Sequence, residues 1–213
     1  FSISLANDNT AWSSGDNDFE EIGDGTNIRK LTLIKVGTPA IYPALATTNS
    51  SDIEYQRGFS YYATNCSNLI TKIFKTGINP IHNTTTAKVW IDGTVLSDPL
   101  NKPYVQRHYE IYPASNDTTA TGTIILYFTQ EEFTAYNASS KISNGTYPML
   151  PVDAIDAQNY RNNLRINKIL AISSNGSGEL NTYKGTSVLI TPGSVAYVDG
   201  RWQATFDVTG FGG

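Results

Sequence analysis

The chain has 213 residues, a net charge of −4, a sequence pI of about 5.1 and two histidines. Hydrophobic residues make up 39% and charged residues 16%, so a real core is available while the surface must rely on uncharged polar side chains. No basic block of about five or six residues offers itself to nucleic acid, and no apolar run approaches the roughly 18 residues of a membrane-spanning helix.

Thr, Ser, Asn, Gly and Tyr fill the remainder, a mix that suits exposed strand faces and turns and an extracellular setting. The sequence opens without Met and reads as a processed or excised piece of a larger protein. Its single cysteine, Cys66, allows neither an internal disulfide framework nor a Cys-rich zinc site, and reads as a small buried apolar residue.

In chain order, residues 1–49 are rich in Asp, Asn and Gly, and read as extra strands of one sandwich or as the tail of a preceding module. Residues 50–213 read as the sandwich module itself. In the first part, "GDNDFEEIGDG" gathers acidic side chains, and Asp16, Asp18, Glu20 and Asp24 are candidate calcium ligands. Calcium takes about six to eight oxygens, which acidic loops on β-sandwiches can supply. The spacing does not follow the EF-hand pattern, and a solvated acidic loop is the alternative.

"RKLTLIKV", "IEYQRGFSYY" and "NLITKIFK" are strand candidates. "TAKVWI" alternates Ala87, Val89 and Ile91 against Lys88 and Trp90. "YVQRHYEIY" places Val105, Arg107, Tyr109 and Ile111 on one face, and Tyr104, Gln106, His108, Glu110 and Tyr112 on the other. Arg107, His108 and Glu110 resemble a catalytic cluster in one dimension, but alternation separates Arg107 from the other two. All three are therefore expected to be structural, with Arg107 partly buried against a carboxylate or backbone carbonyls. "GTIILYF" groups Ile124, Leu126 and Phe128.

Next comes a short helix near residues 130–137. Thr129 and Glu132 form a capping box, and Phe128 with Phe133 forms a hydrophobic staple. Glu131 and Glu132 point in different directions and do not face each other as an acid/base pair. "NLRINKILAI" offers Leu164, Ile166, Leu170 and Ile172 as a strand face. "NGSGE" reads as a flexible turn around Gly176 and Gly178, not a nucleophile elbow. "TSVLIT" and "VAYV" are further strands. In "RWQATFDV", Trp202, Ala204, Phe206 and Val208 face one way, and Arg201, Gln203, Thr205 and Asp207 the other. Short strands between turn clusters predict an all-β, antiparallel, Ig-like or jelly-roll-like sandwich.

The chemistry is sparser. Aromatic side chains on strands can stack on sugars, and Trp90, Tyr104 and Tyr112 are candidate carbohydrate-binding residues. The alternative is that they pack across strands. Asn49, Asn65, Asn83, Asn116, Asn137, Asn144 and Asn175 open Asn-x-Ser/Thr sequons. No pattern singles out a nucleophile or a carboxylate pair.

The blocks "TAKVWID" (86–92), "PYVQRHYEIYPASNDTTATGTIILYFTQEEFTAYN" (103–137), "NLRI" (163–166) and "RWQATFDVTGFGG" (201–213), in this order, resemble an extracellular module of Bacteroidetes proteins exported by the type IX secretion system. The resemblance covers about residues 60–213. It implies a β-sandwich at the outer cell surface, acting as an accessory or adhesin-like part of a larger protein, with no catalytic residues to carry over. Related chains usually continue with an apolar tail. The "DTT" of this chain also fits the short Asp-Thr motif such bacteria glycosylate, which makes Thr118 a candidate.

The functional expectation is a non-catalytic, structural or adhesive surface module. Its partners would be other domains of its parent protein, further copies of itself in a filament, or surface glycans. No cofactor other than calcium is implied. The alternative is a carbohydrate-binding module attached to a polysaccharide-degrading enzyme.

Overall fold

The computed structural model describes residues 1–5, 11–16, 18, 22, 29–36, 59–64, 68–82, 85–114 and 118–211. Its strands are β1 (Ser2–Leu5), β2 (Ala11–Gly15), β3 (Lys30–Val36), β4 (Phe59–Thr64), β5 (Asn68–Phe74), β6 (Thr85–Ile91), β7 (Leu96–Ser97), β8 (Pro103–Tyr104), β9 (Arg107–Pro113) and β10 (Thr121–Phe128). Helix α1 (Gln130–Ala138) and the single turn α2 (Ser140–Ser143) follow. The chain closes with β11 (Ile166–Ile169), β12 (Ser187–Ile190), β13 (Ser194–Val198) and β14 (Arg201–Thr209).

The molecule is an all-β sandwich of antiparallel sheets. Its main sheet has the order β13-β14-β10-β5-β4. Opposite it lie the ladder β6-β9 and the hairpin β11-β12, while β1-β2-β3 form a sheet of their own within residues 1–49. The longest ladder pairs β10 with β14 from Thr121↔Thr209 to Phe128↔Trp202. Period-two alternation then fixes what is buried. Ile124, Leu126 and Phe128 of β10 and Trp202, Ala204, Phe206 and Val208 of β14 enter one core, where Ala87, Val89 and Ile111 of the facing ladder meet them. Each such large side chain contributes roughly 1.5–3 kcal/mol by leaving water.

The Tyr109 side chain ties the layers together. The Tyr109 hydroxyl donates to the Tyr127 carbonyl across the sandwich, and its ring meets Phe128 edge-on. Helix α1 seals one end. Phe128 and Phe133 pack with ring centroids 5.5 Å apart, and Thr129 and Glu132 exchange both capping bonds.

The fold differs from the sequence pattern in three places. "YVQRHYEIY" is interrupted at Val105 and Gln106, so Tyr104 belongs to the short β8 and only Arg107 onward forms β9. "NLRINKILAI" yields only the four residues of β11, and Leu170 and Ile172 are exposed instead of lining the core. The ladder ends there because the chain turns back at once, with the Ala171 amide donating to the Ile169 carbonyl. Arg201, expected on the polar face of β14, is buried with its guanidinium 5.0 Å from the Tyr127 ring.

Candidate functional site

The polar chemistry collects around β9 and divides between its two faces. On the inward face, Arg107 is only 4% exposed. Its Nε and Nη2 both lie 2.8 Å from Glu132 Oε1. The other oxygen, Oε2, accepts the Thr129 amide at 3.0 Å. Glu132 therefore caps α1 with one oxygen and anchors the strand with the other. Burial opposes the Arg107 charge, but Tyr109 and Glu132 more than offset it and hold the guanidinium pKa above its usual value. Burial likewise pushes the Tyr109 phenol up. No proton moves here near neutral pH.

The outward face is set by register. Lys88 pairs with Glu110, and Trp90 with His108. Glu110 is fully buried. One of its carboxylate oxygens accepts Lys88 Nζ at 2.7 Å, and the other accepts the Ser173 amide at 2.8 Å. Lys88 also lies 5.2 Å from the Tyr112 ring. Burial works against its charge, but Glu110 outweighs it and raises the ammonium pKa. Tyr183 stands against the same carboxylate. Burial first, and the Glu110 charge second, push its phenol pKa up.

Ser173 belongs to a segment, residues 171–183, that crosses this face. The Ser173 hydroxyl bonds Thr182 and accepts the Gly178 amide. Gly178 is buried at a φ of +76°, so close to the indole that a Cβ there would lie 2.4 Å from Trp90 Cδ2. Only glycine fits that approach and that backbone. "NGSGE", expected to be a flexible turn, is thus partly a packed cover.

The other side of Trp90 carries His108. The rings are nearly parallel, 7° apart, with centroids at 5.5 Å. His108 Nδ1 lies 3.6 Å from Asp92 Oδ2. Both imidazole nitrogens are buried without a hydrogen bond among the described residues. Burial raises the Asp92 pKa, His108 opposes that, and the Glu179 charge adds to it. Tyr104 closes the cluster. Its phenol pKa is raised by burial and then by Asp92, Asp98 and Glu179.

The candidates read from the sequence fall out as follows. Arg107, His108 and Glu110 do not converge: the first binds Glu132, the second approaches Asp92, and the third binds Lys88 and Ser173. Trp90 is 6% exposed and enclosed between His108 and Gly178, so it has no free face for a sugar. Tyr104 and Tyr112 are half-buried. Asp16 and Asp18 are exposed, while Glu20 and Asp24 lie outside the described residues. No group of three or more His, Cys, Asp or Glu that could hold a metal occurs among the described residues.

Thr118 is exposed in a turn. Of the sequons, Asn144 and Asn175 are exposed. Asn137 is buried, with its amide joined at 2.8 Å to both the carbonyl and the N–H of Leu150, so it holds a loop instead of accepting a glycan. Asn49, Asn65, Asn83, Asn116 and Cys66 lie outside the described residues.

An opening between the layers is lined mostly by apolar side chains, among them Ile111, Ile124, Leu126 and Phe206, with Asn167 and Lys168 as polar members. Lys168 Nζ is itself tied to the Thr209 and Gly210 carbonyls at 2.7 and 3.1 Å. No helix among the described residues is long and apolar enough to cross a membrane. Asp92 and Ser173 were not singled out in the sequence, and Gly178 and Glu179 stood there only as part of the "NGSGE" turn. Only the pairing of β6 with β9 and the return of a loop more than sixty residues later bring them together.

Comparison with family models, curated proteins and solved structures returns no match for this chain.

Proposed function

We propose that this chain is a non-catalytic structural or adhesive module of a larger exported protein, acting at the outer cell surface and associating with further copies of itself. The supporting observation is how its buried charges are spent. Arg107–Glu132 joins a strand to a helix, Lys88–Glu110–Ser173 joins two strands to a loop, and Asp156–Arg161 fixes a turn. Groups fixed in this way hold a scaffold, and their charges are neutralised by one another instead of facing a substrate. The order of blocks along the sequence supports the exported setting. Self-association is supported by the β11-β12 ladder, where Val188 and Leu189 are exposed on a strand that, among the described residues, pairs with β11 alone.

Light scattering across a concentration series, together with a glycan array and hydrolase panels, tests this reading. The expected result is a mass that rises with concentration, no glycan bound and no turnover. A glycan held through Tyr104 or Tyr112 would replace the reading with sugar recognition. Turnover of any substrate would end it, and a monomer at every concentration would remove self-assembly.

A further inference from the structure

We infer that two copies of this chain pair about a two-fold axis, each seating its Ile78 in the apolar opening between the layers of the other. The inference rests on the self-association reading and gives it a surface distinct from the β11-β12 ladder.

Ile78 is 99% exposed, more than any other large apolar side chain among the described residues. On a loose loop that would mean little. This isoleucine stands at the apex of a turn clamped on both sides. Ahead of it, the Thr76 carbonyl accepts the Thr121 hydroxyl at 2.6 Å, and the Thr76 and Thr123 hydroxyls lie 2.8 Å apart. Behind it, the Asn79 amide donates to Thr121 Oγ1 at 3.2 Å, and the Asn79 carbonyl accepts the Thr121 amide at 2.7 Å. The Asn79 side chain adds a bond to Thr119 Oγ1 at 3.0 Å. Gly77 has a φ of +84°, and a Cβ there would lie 2.5 Å from the same Thr121 oxygen, so only glycine lets the turn close on β10. The β-branched side chain is itself stiff. The turn is ordered before any partner arrives, and little conformational freedom is left to lose on contact.

The receiving site adjoins it. The opening between the layers holds about 80 Å³, with Ile111, Ile124, Leu126, Phe206 and Phe211 in its lining. That is far below the roughly 300–1,000 Å³ of a small-molecule pocket and below the roughly 150 Å³ that admits benzene, so it suits part of one aliphatic side chain. Its cation, Lys168, already holds the Thr209 and Gly210 carbonyls. Val208 lines both this opening and the depression beside Ile78. Gly122 of that depression lies close to the Phe211 ring, where a Cβ would come within 3.4 Å of Cζ. Knob and opening therefore share one end of the sandwich. A two-fold axis through that end satisfies both copies at once and closes the pair instead of extending a fibre. Charge agrees with this arrangement. Lys75 follows the last residue of β5, and Asp207 is exposed on β14; Thr123 of β10 pairs with both Phe74 and Asp207. The end carries charges of both signs, so the two-fold can set each lysine toward the other copy's aspartate. The shared surface is small, so the pair is weak and exchanges readily.

Sedimentation velocity of the full chain over a concentration series tests the pairing. The parent mass should rise to twice the monomer and stop there. Ile78→Asp should weaken association by at least about tenfold, the loss of a buried anchor, and Ile78→Ala should weaken it less. Both variants should melt with the parent, because Ile78 is exposed in the single copy. In the parent, the methyl NMR signals of Ile111, Ile124 and Ile166 should move with concentration; in Ile78→Asp they should stay in place. Leu189→Lys on β12 should leave the pairing as it is. Undiminished association in Ile78→Asp overturns the proposal, and if Leu189→Lys then abolishes association, the self-association reading survives through the β12 edge. Methyl signals that stay in place while the parent associates also overturn it, as does a mass that climbs past twice the monomer. Should Ile78→Asp lose the fold, Ile78→Ala and the methyl signals decide. A parent that is monomeric at every concentration overturns both the pairing and the self-association it rests on.

Discussion

Arg107 and His108 are consecutive residues of one strand, and they meet opposite fates. Arg107 points into the sandwich, where one carboxylate oxygen takes two of its donors and the other oxygen caps a helix. His108 points outward, where its Nδ1 lies 3.6 Å from Asp92 and its ring nitrogens are buried without hydrogen bonds among the described residues. The inner face is an arrangement in which each charge of the Arg107–Glu132 pair has a close partner. The outer face leaves a titratable ring loosely matched beneath a loop with little core of its own. The difference teaches that burial alone does not mark a structural or responsive group. What marks it is how completely its partners answer it.

The largest effect should come from breaking the inner clasp. Arg107→Met leaves the Glu132 carboxylate buried and short of its countercharge, and should cost about 3–5 kcal/mol in denaturant unfolding. Arg107→Lys should recover only part of that, because an ammonium cannot reproduce the guanidinium fork. A loss below about 1 kcal/mol for Arg107→Met would mean that the clasp does not secure α1, and the contrast between the faces would collapse.

Gly178→Ala comes next and probes the outer face. The new Cβ would have to displace the Trp90 ring, and alanine is strained at this positive φ. The expected global cost is roughly 1–3 kcal/mol. Its signature is local: exchange of the amides of Ser173, Gly176 and Gly178 should quicken before any amide of β10 or β14 responds. Uniform quickening across the main sheet would show that residues 171–183 are not a separate unit.

The two faces were not equally legible in the sequence. The inner one was largely readable, because its signals are periodic or local. Trp202, Ala204, Phe206 and Val208 alternate strictly, and the Thr129–Glu132 cap occupies four adjacent residues. Alternation also separated Arg107 from His108. What stayed hidden was the identity of Arg107's partner, since a capping glutamate gives no local sign that its spare oxygen is used elsewhere. The outer site depends on contacts between distant segments. Trp90 meets His108 through strand register, and Gly178 reaches Trp90 through a loop closure that no period encodes. The enclosure of Trp90 and the burial of Asn137 were hidden for the same reason. A strand pattern states which face a side chain takes, and a sequon states only a local triplet. Neither states what later chain will cover it.

The smallest effect is the one that isolates the outer face from the fold as a whole. Burial raises the Asp92 pKa above its unfolded value, with Glu179 adding to the shift and His108 opposing it. A carboxyl raised in this way contributes stability while it holds its proton, and that contribution is lost as pH rises through the folded-state pKa. At neutral pH the Asp92 carboxylate is therefore a small liability. Asp92→Asn removes it and should raise stability near pH 8 by at most about 1 kcal/mol, because solvent still reaches a quarter of this side chain and screens its charge. The gain should fade in acid, where the parent carboxyl is protonated whether folded or not. Denaturation midpoints taken across pH resolve that curve. A gain of the same size at every pH would mean that the substitution acts through packing.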